Sequence, residues 1–192
     1  AAAIRSSVPV RYESTAPNRI VETIEFFPEE GKYHYDGHRL CGVRCAPLET
    51  KRHRGICPQC AKPMTIGVMH RVDKLADRTN GFMLRAPSFR RIVPLQEVIA
   101  EAFGVKSATK RVCEQYERLT HEVGNEFHIL LDSDLDAIAR VAPAEVVEAI
   151  RRVRAGELDI MPGYDGEYGT VHVFSAARPR PIAAQHALFA LL

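Results

Sequence analysis

The spacing of hydrophobic residues along the chain predicts strands near its start and helices beyond residue 92. Residues 20–27, IVETIEFF, alternate apolar and polar side chains as a half-buried strand does. Between Pro94 and Gly104, apolar residues recur every three or four positions, which predicts a helix. Three more segments with this spacing follow before residue 156, and residues 170–174 are typical of a strand. We therefore expect an α+β fold in which a small module with short strands precedes a compact four-helix domain and a terminal strand.

Two pairs of residues in the first module have the spacing of metal ligands. His38 and Cys41 are separated by two residues, fifteen residues follow, and Cys57 and Cys60 form a second pair with the same gap. Two such pairs can surround one tetrahedral ion, and protein atoms then fill all four positions. The spacing therefore predicts a zinc knuckle with one structural zinc ion (Zn2+). Cys45 is an alternative fourth ligand, although the gap at His38 matches the second pair better.

A polar stretch between residues 78 and 91, interrupted by Gly81 and Pro87, predicts a domain boundary. With that boundary, the chain divides into four expected regions. They are a lead-in with one strand (1–32), a zinc-binding module (33–78), a helical domain (92–174) and a flexible tail (175–192).

The composition, 46% hydrophobic and 26% charged, is typical of a globular protein. No stretch approaches the roughly 18–20 apolar residues of a membrane span, and the first ten residues lack the apolar block of a secretory signal. We therefore expect a cytoplasmic protein without a membrane partner. In that compartment the cysteines are metal ligands or free thiols rather than disulfides.

Basic residues are clustered although the formal net charge is only +2. Five cations lie between Arg39 and Arg54 against a single acid, Glu49. Lysines also flank the turn at Gly104, where the start of the next helix can present N–H groups to a phosphate. Each cluster fits either a polyanion-binding surface or an ordinary solvated face.

The turn-rich segment 162–169, PGYDGEYG, offers Tyr164 and Tyr168 for stacking on bases, and Asp165 and Glu167 for holding a cation. Acids two positions apart in a glycine turn are more often turn-forming residues. We therefore expect no metal in this segment.

The tail contains a motif typical of a partner-binding peptide. Gln185, Leu188 and Phe189 resemble the Gln-x-x-Leu-Phe peptide that binds the bacterial sliding clamp. A motif this short also arises by chance, and His186 replaces the usual leucine. The tail is therefore a candidate clamp-binding peptide, with a chance match as the alternative.

Three segments together resemble endonuclease Q-like proteins, which are DNA repair enzymes with a PHP catalytic domain and are also labelled UvrD-like. The segments are TIEFFPEEGKYHYDGHRLCGVR, CPQCAKPMTIGVMHRVDKLADR and PGYDGEYGTVHVF, and the resemblance covers residues 20–189. It implies a family that nicks DNA on the 5′ side of deaminated bases such as uracil and hypoxanthine. It also implies that the catalytic metals lie in an amino-terminal PHP domain.

The chain departs from that family because it has no His-x-His motif, with which the PHP ligand set conventionally starts. Its first histidine is His34, and Asp36-Gly37-His38 lies inside the zinc module. The chain also does not begin with methionine. We therefore expect it to carry the last strand of a PHP-like domain, the zinc module and the helical domain. The PHP catalytic domain would be missing or supplied by another chain, and the chain alone would have no nuclease activity.

The resemblance also favours DNA binding over a solvated face. The candidate DNA-contact residues are Arg52, Arg54, Arg71, Lys106, Lys110 and Arg111. Two other functions stay open. One is a complete metal-dependent nuclease that uses His34, Asp36 and His38 as catalytic metal ligands, and the other is a protein-interaction module that acts through the tail.

Overall fold

A computed structural model describes residues 20–77 and 87–174, which form parts of two compact units. The first unit contains the described residues up to Val93 together with 160–171, and the second contains 94–159 and 172–174. Residues 160–171, which fall within the predicted helical domain 92–174, lie in the first unit. That segment is bound to the first unit by its backbone, because the N–H of Tyr35 donates to the carbonyl of Gly163 at 2.9 Å.

Short strands and helices make up the first unit. In chain order they are β1 (Glu22–Glu25), β2 (Asp36–His38), β3 (Val43–Cys45), α1 (Pro47–Arg52), α2 (Val68–Leu75) and β4 (Ser88–Arg91). Strands β2 and β3 form an antiparallel hairpin, whereas β1 and β4 pair in parallel. The buried apolar cluster around β3 is small and consists of Val43, Cys45, Cys57 and Met64.

The β1–β4 sheet differs from the predicted pattern in two ways. Strand β1 is shorter than the predicted strand over residues 20–27, and β4 lies in the stretch that was predicted to be a polar boundary. The polar residues of β4 are accommodated by ion pairs, since Arg90 contacts Glu22 at 2.6 Å and Arg91 contacts Glu29 at 3.1 Å. Pairing of charges across the sheet thus replaces the apolar alternation by which a strand is normally recognised.

Five helices, one more than the four predicted, make up most of the described part of the second unit. They are α3 (Leu95–Phe103), α4 (Lys110–Glu122), α5 (Glu126–Leu131), α6 (Leu135–Ala139) and α7 (Ala144–Ala155). The unpredicted helix, α5, has only six residues and is too short to show a clear period. It begins at the Asn125 cap, whose side chain accepts a hydrogen bond from the N–H of His128 at 3.0 Å.

The core of the second unit lies where α3 packs against α4 and α7. Its fully buried side chains come from all five helices. They include Leu95, Val98, Ile99, Val112, Leu119, Ile129, Ile138, Val146 and Ile150.

The predicted terminal strand over residues 170–174 is present but shorter. It is β6 (Thr170–His172), which pairs with β5 (Asp159–Met161). The mixture of helices and short strands confirms the α+β class, and none of the helices within the described ranges could span a bilayer.

Glu126, the first residue of α5, links that helix to the start of α3 and to the middle of α4. Its carboxylate accepts a hydrogen bond from the N–H of Leu95 at 2.7 Å and another from the hydroxyl of Tyr116 at 3.1 Å. The second bond raises the pKa of Tyr116, because it favours the protonated hydroxyl. One side chain therefore fixes α5 relative to both α3 and α4.

We predict that Glu126→Ala lowers the free energy of unfolding of the second unit by about 2 kcal/mol, because it removes two charge-assisted hydrogen bonds. Glu117→Ala is the matched control, since Glu117 is exposed on α4. The control should change stability by less than about 0.5 kcal/mol. Urea unfolding followed by circular dichroism measures both variants, and equal stabilities would contradict the role given to Glu126.

Candidate metal centre

The structure brings together the four residues of the predicted zinc knuckle. One ligand atom from each of His38, Cys41, Cys57 and Cys60 lies within 4.8 Å of the corresponding atom in every other member. The Nδ1 atom of His38 is 3.4 Å from the Sγ atom of Cys60. Within residues 20–77 and 87–174, no other group of three or more His, Cys, Asp or Glu residues has this arrangement.

The two ligand pairs are held in similar turns. Strand β2 ends at His38, a 3-10 turn covers Arg39–Cys41, and the N–H of Gly42 donates to the carbonyl of Arg39 at 2.9 Å. In the second turn the N–H of Ala61 donates to the carbonyl of Cys57, also at 2.9 Å. The residue after the second ligand has a left-handed backbone in both turns, with φ of 63° at Gly42 and 57° at Ala61. Glycine adopts this conformation readily, whereas alanine does so at a cost of about 1 kcal/mol.

The thiols of the cluster have shifted ionisation. Burial opposes ionisation of Cys57, but N–H groups of Cys60 and Gln59 outweigh it and lower the pKa of Cys57 to about 7. Hydrogen bonding to Cys60, with added burial, raises the pKa of Cys41 to about 11. One thiol is therefore stabilised as a thiolate by backbone donors, while its neighbour retains a proton that a bound cation would displace.

The donor set fits a tetrahedral zinc ion. Zinc–sulfur and zinc–nitrogen bond lengths require ligand atoms about 3.6–3.8 Å apart, and the separation between His38 and Cys60 is close to this value. Three sulfur donors and one imidazole would fill every position of such an ion. The cluster can therefore hold a metal ion and has the composition of a structural rather than a catalytic site.

Cys45, the alternative fourth ligand, is not part of the cluster. It is buried on β3 and packs with Val43 and Met64. Burial also raises the pKa of its thiol. The structure thus selects His38 over Cys45.

Asp36 is engaged elsewhere, and among the described residues His34, Asp36 and His38 are not clustered as metal ligands. Asp36 is fully buried, and its Oδ1 atom accepts a hydrogen bond from the N–H of Gly67 at 2.6 Å. Its Oδ2 atom lies 2.7 Å from Nδ1 of His70. Both oxygens of Asp36 thus hold the start of α2, and the described residues give no support to a catalytic metal site formed by His34, Asp36 and His38.

Asp165 supports the ligand turn at His38 from a distant part of the sequence, and this contact was not predicted. Its Oδ2 atom accepts a hydrogen bond from the N–H of Arg39 at 2.7 Å, and its Oδ1 atom accepts one from the hydroxyl of Thr65 at 2.5 Å. Burial opposes ionisation, but the hydrogen bond from Thr65 and the N–H of Arg39 lower the pKa of Asp165. The carboxylate thereby fixes the turn that follows His38. The Asp-Gly dipeptide was a turn signal but carried no information about this contact.

Three of the predicted DNA-contact residues lie on the surface of the first unit. Arg52 is in the last turn of α1, Arg54 follows that helix, and Arg71 is in α2. All three are exposed, and none forms an ion pair within the described part of the chain. Their neighbour Lys51 differs, because it pairs with Asp73.

The other three candidates surround the turn between α3 and α4 in the second unit. Lys106 is exposed in the turn, Lys110 contacts Glu114 at 3.6 Å, and the guanidinium of Arg111 lies 3.8 Å from the centre of the Phe103 ring. No side chain caps the start of α4, at Thr109. The turn therefore presents three cations beside an uncapped helix amino terminus.

Some predicted features lie outside the described residues. These are the tail motif, Gln185, Leu188 and Phe189, and two arginines of the polar stretch 78–91, Arg78 and Arg85.

Sequence comparison relates the chain to longer proteins. Residues 94–157 match the family model described as the MJ0043 C-terminal domain. The uncharacterized protein MJ0043 of Methanocaldococcus jannaschii is 31% identical over 154 residues, which are 80% of this chain and 20% of that protein. The uncharacterized protein YqxK of Bacillus subtilis is 28% identical over 154 residues, which are 80% of this chain and 36% of that protein. The chain thus spans about a fifth to about a third of these relatives.

Structural comparison relates the chain to endonuclease Q. The lesion-specific endonuclease PfuEndoQ from Pyrococcus furiosus matches with a TM-score of 0.70 and 30% identity, over 82% of this chain and 39% of that one. An endonuclease Q complex with a 27-mer duplex substrate and an abasic lesion at the active site matches with a TM-score of 0.66 and 29% identity. That match covers 84% of this chain and 40% of the other. The predicted resemblance to endonuclease Q is confirmed.

We predict that the purified chain retains one equivalent of zinc, that Cys57→Ser loses it, and that Cys45→Ala keeps it. Removing a sulfur ligand leaves the ion incompletely coordinated, whereas Cys45 only packs against the site. Inductively coupled plasma mass spectrometry measures the metal content of all three proteins. Loss of zinc from Cys45→Ala with retention in Cys57→Ser would contradict the assignment.

We also predict that Gly42→Ala destabilises the metal-loaded first unit by about 1 kcal/mol, because the new methyl group forces an unfavourable left-handed backbone. A Cβ atom at Gly42 would meet nothing within 4 Å, so the effect isolates backbone strain. The reverse change, Ala61→Gly, should not destabilise the unit. Urea unfolding at saturating zinc compares the two, and a loss of stability in both variants would argue against this explanation.

Proposed function

We propose that this chain is a DNA-binding part of an endonuclease Q-like repair nuclease and that its Cys3His cluster holds a structural zinc ion. The observation that carries the proposal is the structural match to endonuclease Q over more than four-fifths of the chain. One of the matched structures contains a 27-mer duplex substrate.

Zinc is the metal that suits the cluster best. Three cysteine sulfurs and one histidine nitrogen form a soft, tetrahedral donor set, which favours zinc over magnesium or calcium. The role of such an ion is to hold two turns together, since they bury few apolar side chains. In this proposal the zinc ion shapes the DNA-binding surface and takes no part in bond cleavage.

The cations of the second unit are the stronger candidates for contact with DNA. Lys106, Lys110 and Arg111 are clustered at one turn, and stacking on Phe103 restricts the guanidinium of Arg111. An uncapped helix start adds N–H donors at the same place. Such a group suits the phosphate backbone of a duplex and would be insensitive to base sequence.

Arg52, Arg54 and Arg71 would add phosphate contacts on the first unit. Their freedom from ion pairs within residues 20–77 and 87–174 leaves their charge uncompensated by a close acid. Two other arginines of this unit, Arg90 and Arg91, are paired with Glu22 and Glu29 and are weaker candidates.

The cleavage reaction in this proposal is a nick on the 5′ side of a deaminated base such as uracil. A PHP metal centre formed by residues outside the described part of this chain would make the cut. The described part has one group of clustered metal ligands, and that group has no open coordination position for a substrate. The contribution of this chain would be to hold the duplex while the PHP centre acts.

The proposal predicts salt-dependent binding to duplex DNA. For the intact chain, the logarithm of the affinity should fall linearly with the logarithm of the salt concentration, because bound cations release counterions. The triple variant Lys106→Ala/Lys110→Ala/Arg111→Ala should bind more weakly. The steepness of its salt dependence should also fall by about 2 to 3, which is close to 0.9 for each lost phosphate contact. Fluorescence anisotropy with a labelled duplex at several salt concentrations measures both quantities.

Arg118→Ala is the charge control for this experiment. Arg118 lies in the same helix, α4, but about two turns beyond Lys110 and away from the turn, so its loss should leave the slope nearly unchanged. Binding that is absent, or that the triple variant leaves intact, would sink the proposal for this turn.

A further inference from the structure

An exposed group of residues on the first unit has the chemistry of a nucleotide-binding platform. It consists of Lys32, Tyr33 and Tyr168 and is named here the tyrosine–lysine patch. Tyr168 is 74% exposed and Tyr33 is 47% exposed. The Nζ atom of Lys32 lies 5.6 Å from the centre of the Tyr33 ring and 5.7 Å from the centre of the Tyr168 ring. One ammonium group is therefore within cation–π distance of two exposed rings.

Backbone hydrogen bonds hold the two halves of this patch together. The N–H of Gly166 donates to the carbonyl of Lys32 at 2.9 Å, and the N–H of Gly169 donates to the carbonyl of Glu30 at 3.0 Å. These two bonds lie on either side of Tyr168 in the sequence. A Cβ atom at Gly169 would collide with the carbonyl oxygen of Glu29, so glycine is required for this close approach. Tyr168 is thus presented to solvent from a fixed backbone.

Tyr164, the other tyrosine of this loop, is not available for stacking. Its ring packs so closely on Gly37 that a Cβ atom there would overlap it. Burial, with the charge of Glu167, raises the pKa of Tyr164, and the Glu167 carboxylate accepts its hydrogen bond. The structure therefore separates a packing tyrosine from an exposed one, Tyr168.

A second cation lies beside the patch. The Nη1 atom of Arg39 is 3.6 Å from the position that a Cβ atom would occupy on Gly166, and the hydroxyl of Tyr33 is 3.8 Å from the same point. Arg39 and Lys32 thus approach the loop near its tip. Two cations next to exposed aromatic rings can bind the phosphate and the base of one nucleotide together.

We propose that the tyrosine–lysine patch binds an unpaired nucleotide of DNA, with its base stacked on Tyr168 and its phosphate beside Lys32 and Arg39. The proposal rests on the DNA binding proposed above and adds a preference for unpaired DNA to it. Within an intact duplex, both faces of each base are covered by neighbouring bases. Only a single strand or an extruded nucleotide offers a free face to Tyr168.

Tyr168→Trp tests the stacking directly, because the chain contains no tryptophan and the variant therefore has a single indole fluorophore. Titration of the full chain with a short oligothymidylate should quench the tryptophan emission by about half or more. Phe127→Trp is the matched control, since Phe127 is 54% exposed in the second unit and lies outside the patch. Its emission should not change in the same titration.

Affinity measurements provide the second readout. Tyr168→Ala should weaken binding of the single strand about tenfold, while binding of a duplex changes by less than about twofold. Tyr168→Phe should retain single-strand binding, because it preserves the ring. Zinc content and circular dichroism confirm that each variant remains folded.

The outcomes separate this proposal from the one on which it rests. Normal duplex binding without tryptophan quenching or loss of single-strand affinity would overturn the patch and leave the proposed function standing. Equal quenching by inorganic polyphosphate would also overturn it, because the site would then recognise charge alone. Failure of the unmodified chain to bind either form of DNA would overturn both proposals.

Discussion

The first unit depends on the convergence of four ligand atoms, because it has little else to hold its centre. Its buried cluster around β3 contains only Val43, Cys45, Cys57 and Met64, and one of these is itself a ligand. An apolar cluster of this size contributes little to folding, whereas a coordinated metal contributes its binding free energy directly. The two turns that carry the ligands also adopt left-handed backbones at Gly42 and Ala61. Such strain is tolerated where the surrounding structure fixes the backbone strongly, and coordination of a metal ion by these four residues would provide that constraint.

The metal module also includes a segment, residues 162–169, that lies about a hundred or more residues later in the sequence. Asp165 hydrogen-bonds to the turn between His38 and Cys41, Tyr164 packs on Gly37, and Arg44 donates to the carbonyl of Pro162 at 3.0 Å. These contacts orient the first ligand pair from outside, as groups around metal ligands commonly do. The same segment carries Tyr168, so its packing residues and its exposed ring occupy one loop. The candidate metal cluster and the exposed ring therefore belong to a single folded unit.

The extent to which the sequence predicted this structure follows from the range of the interactions involved. The metal ligands were predictable because each pair lies within one local turn, and two-residue gaps suffice to identify them. Helix α3 was predictable from its apolar period and its terminal Pro94 and Gly104. Helix α5 was not, because six residues hardly exceed one turn and a half. Asp165 could not be connected to Arg39 by any local rule, since 126 positions separate them. Strand β4 was obscured because its arginines find acidic partners only after folding.

The distribution of ion pairs shows which basic residues have their charge neutralised by a nearby acid, and the net charge does not show this. On α7, Arg151 and Arg152 both bind Glu148, and these bonds lower the pKa of that carboxyl to about 2. The charge of these arginines is therefore largely neutralised by their own helix, despite their number. At the turn before α4 the balance is different, because Lys106 has no ion pair among the described residues and Arg111 is held by an aromatic ring. A cation that is uncompensated and already ordered loses little on meeting a phosphate, whereas a paired arginine must first give up its carboxylate. A surface suited to DNA is therefore one whose cations are not neutralised by nearby acids, and it need not be the surface with the most cations.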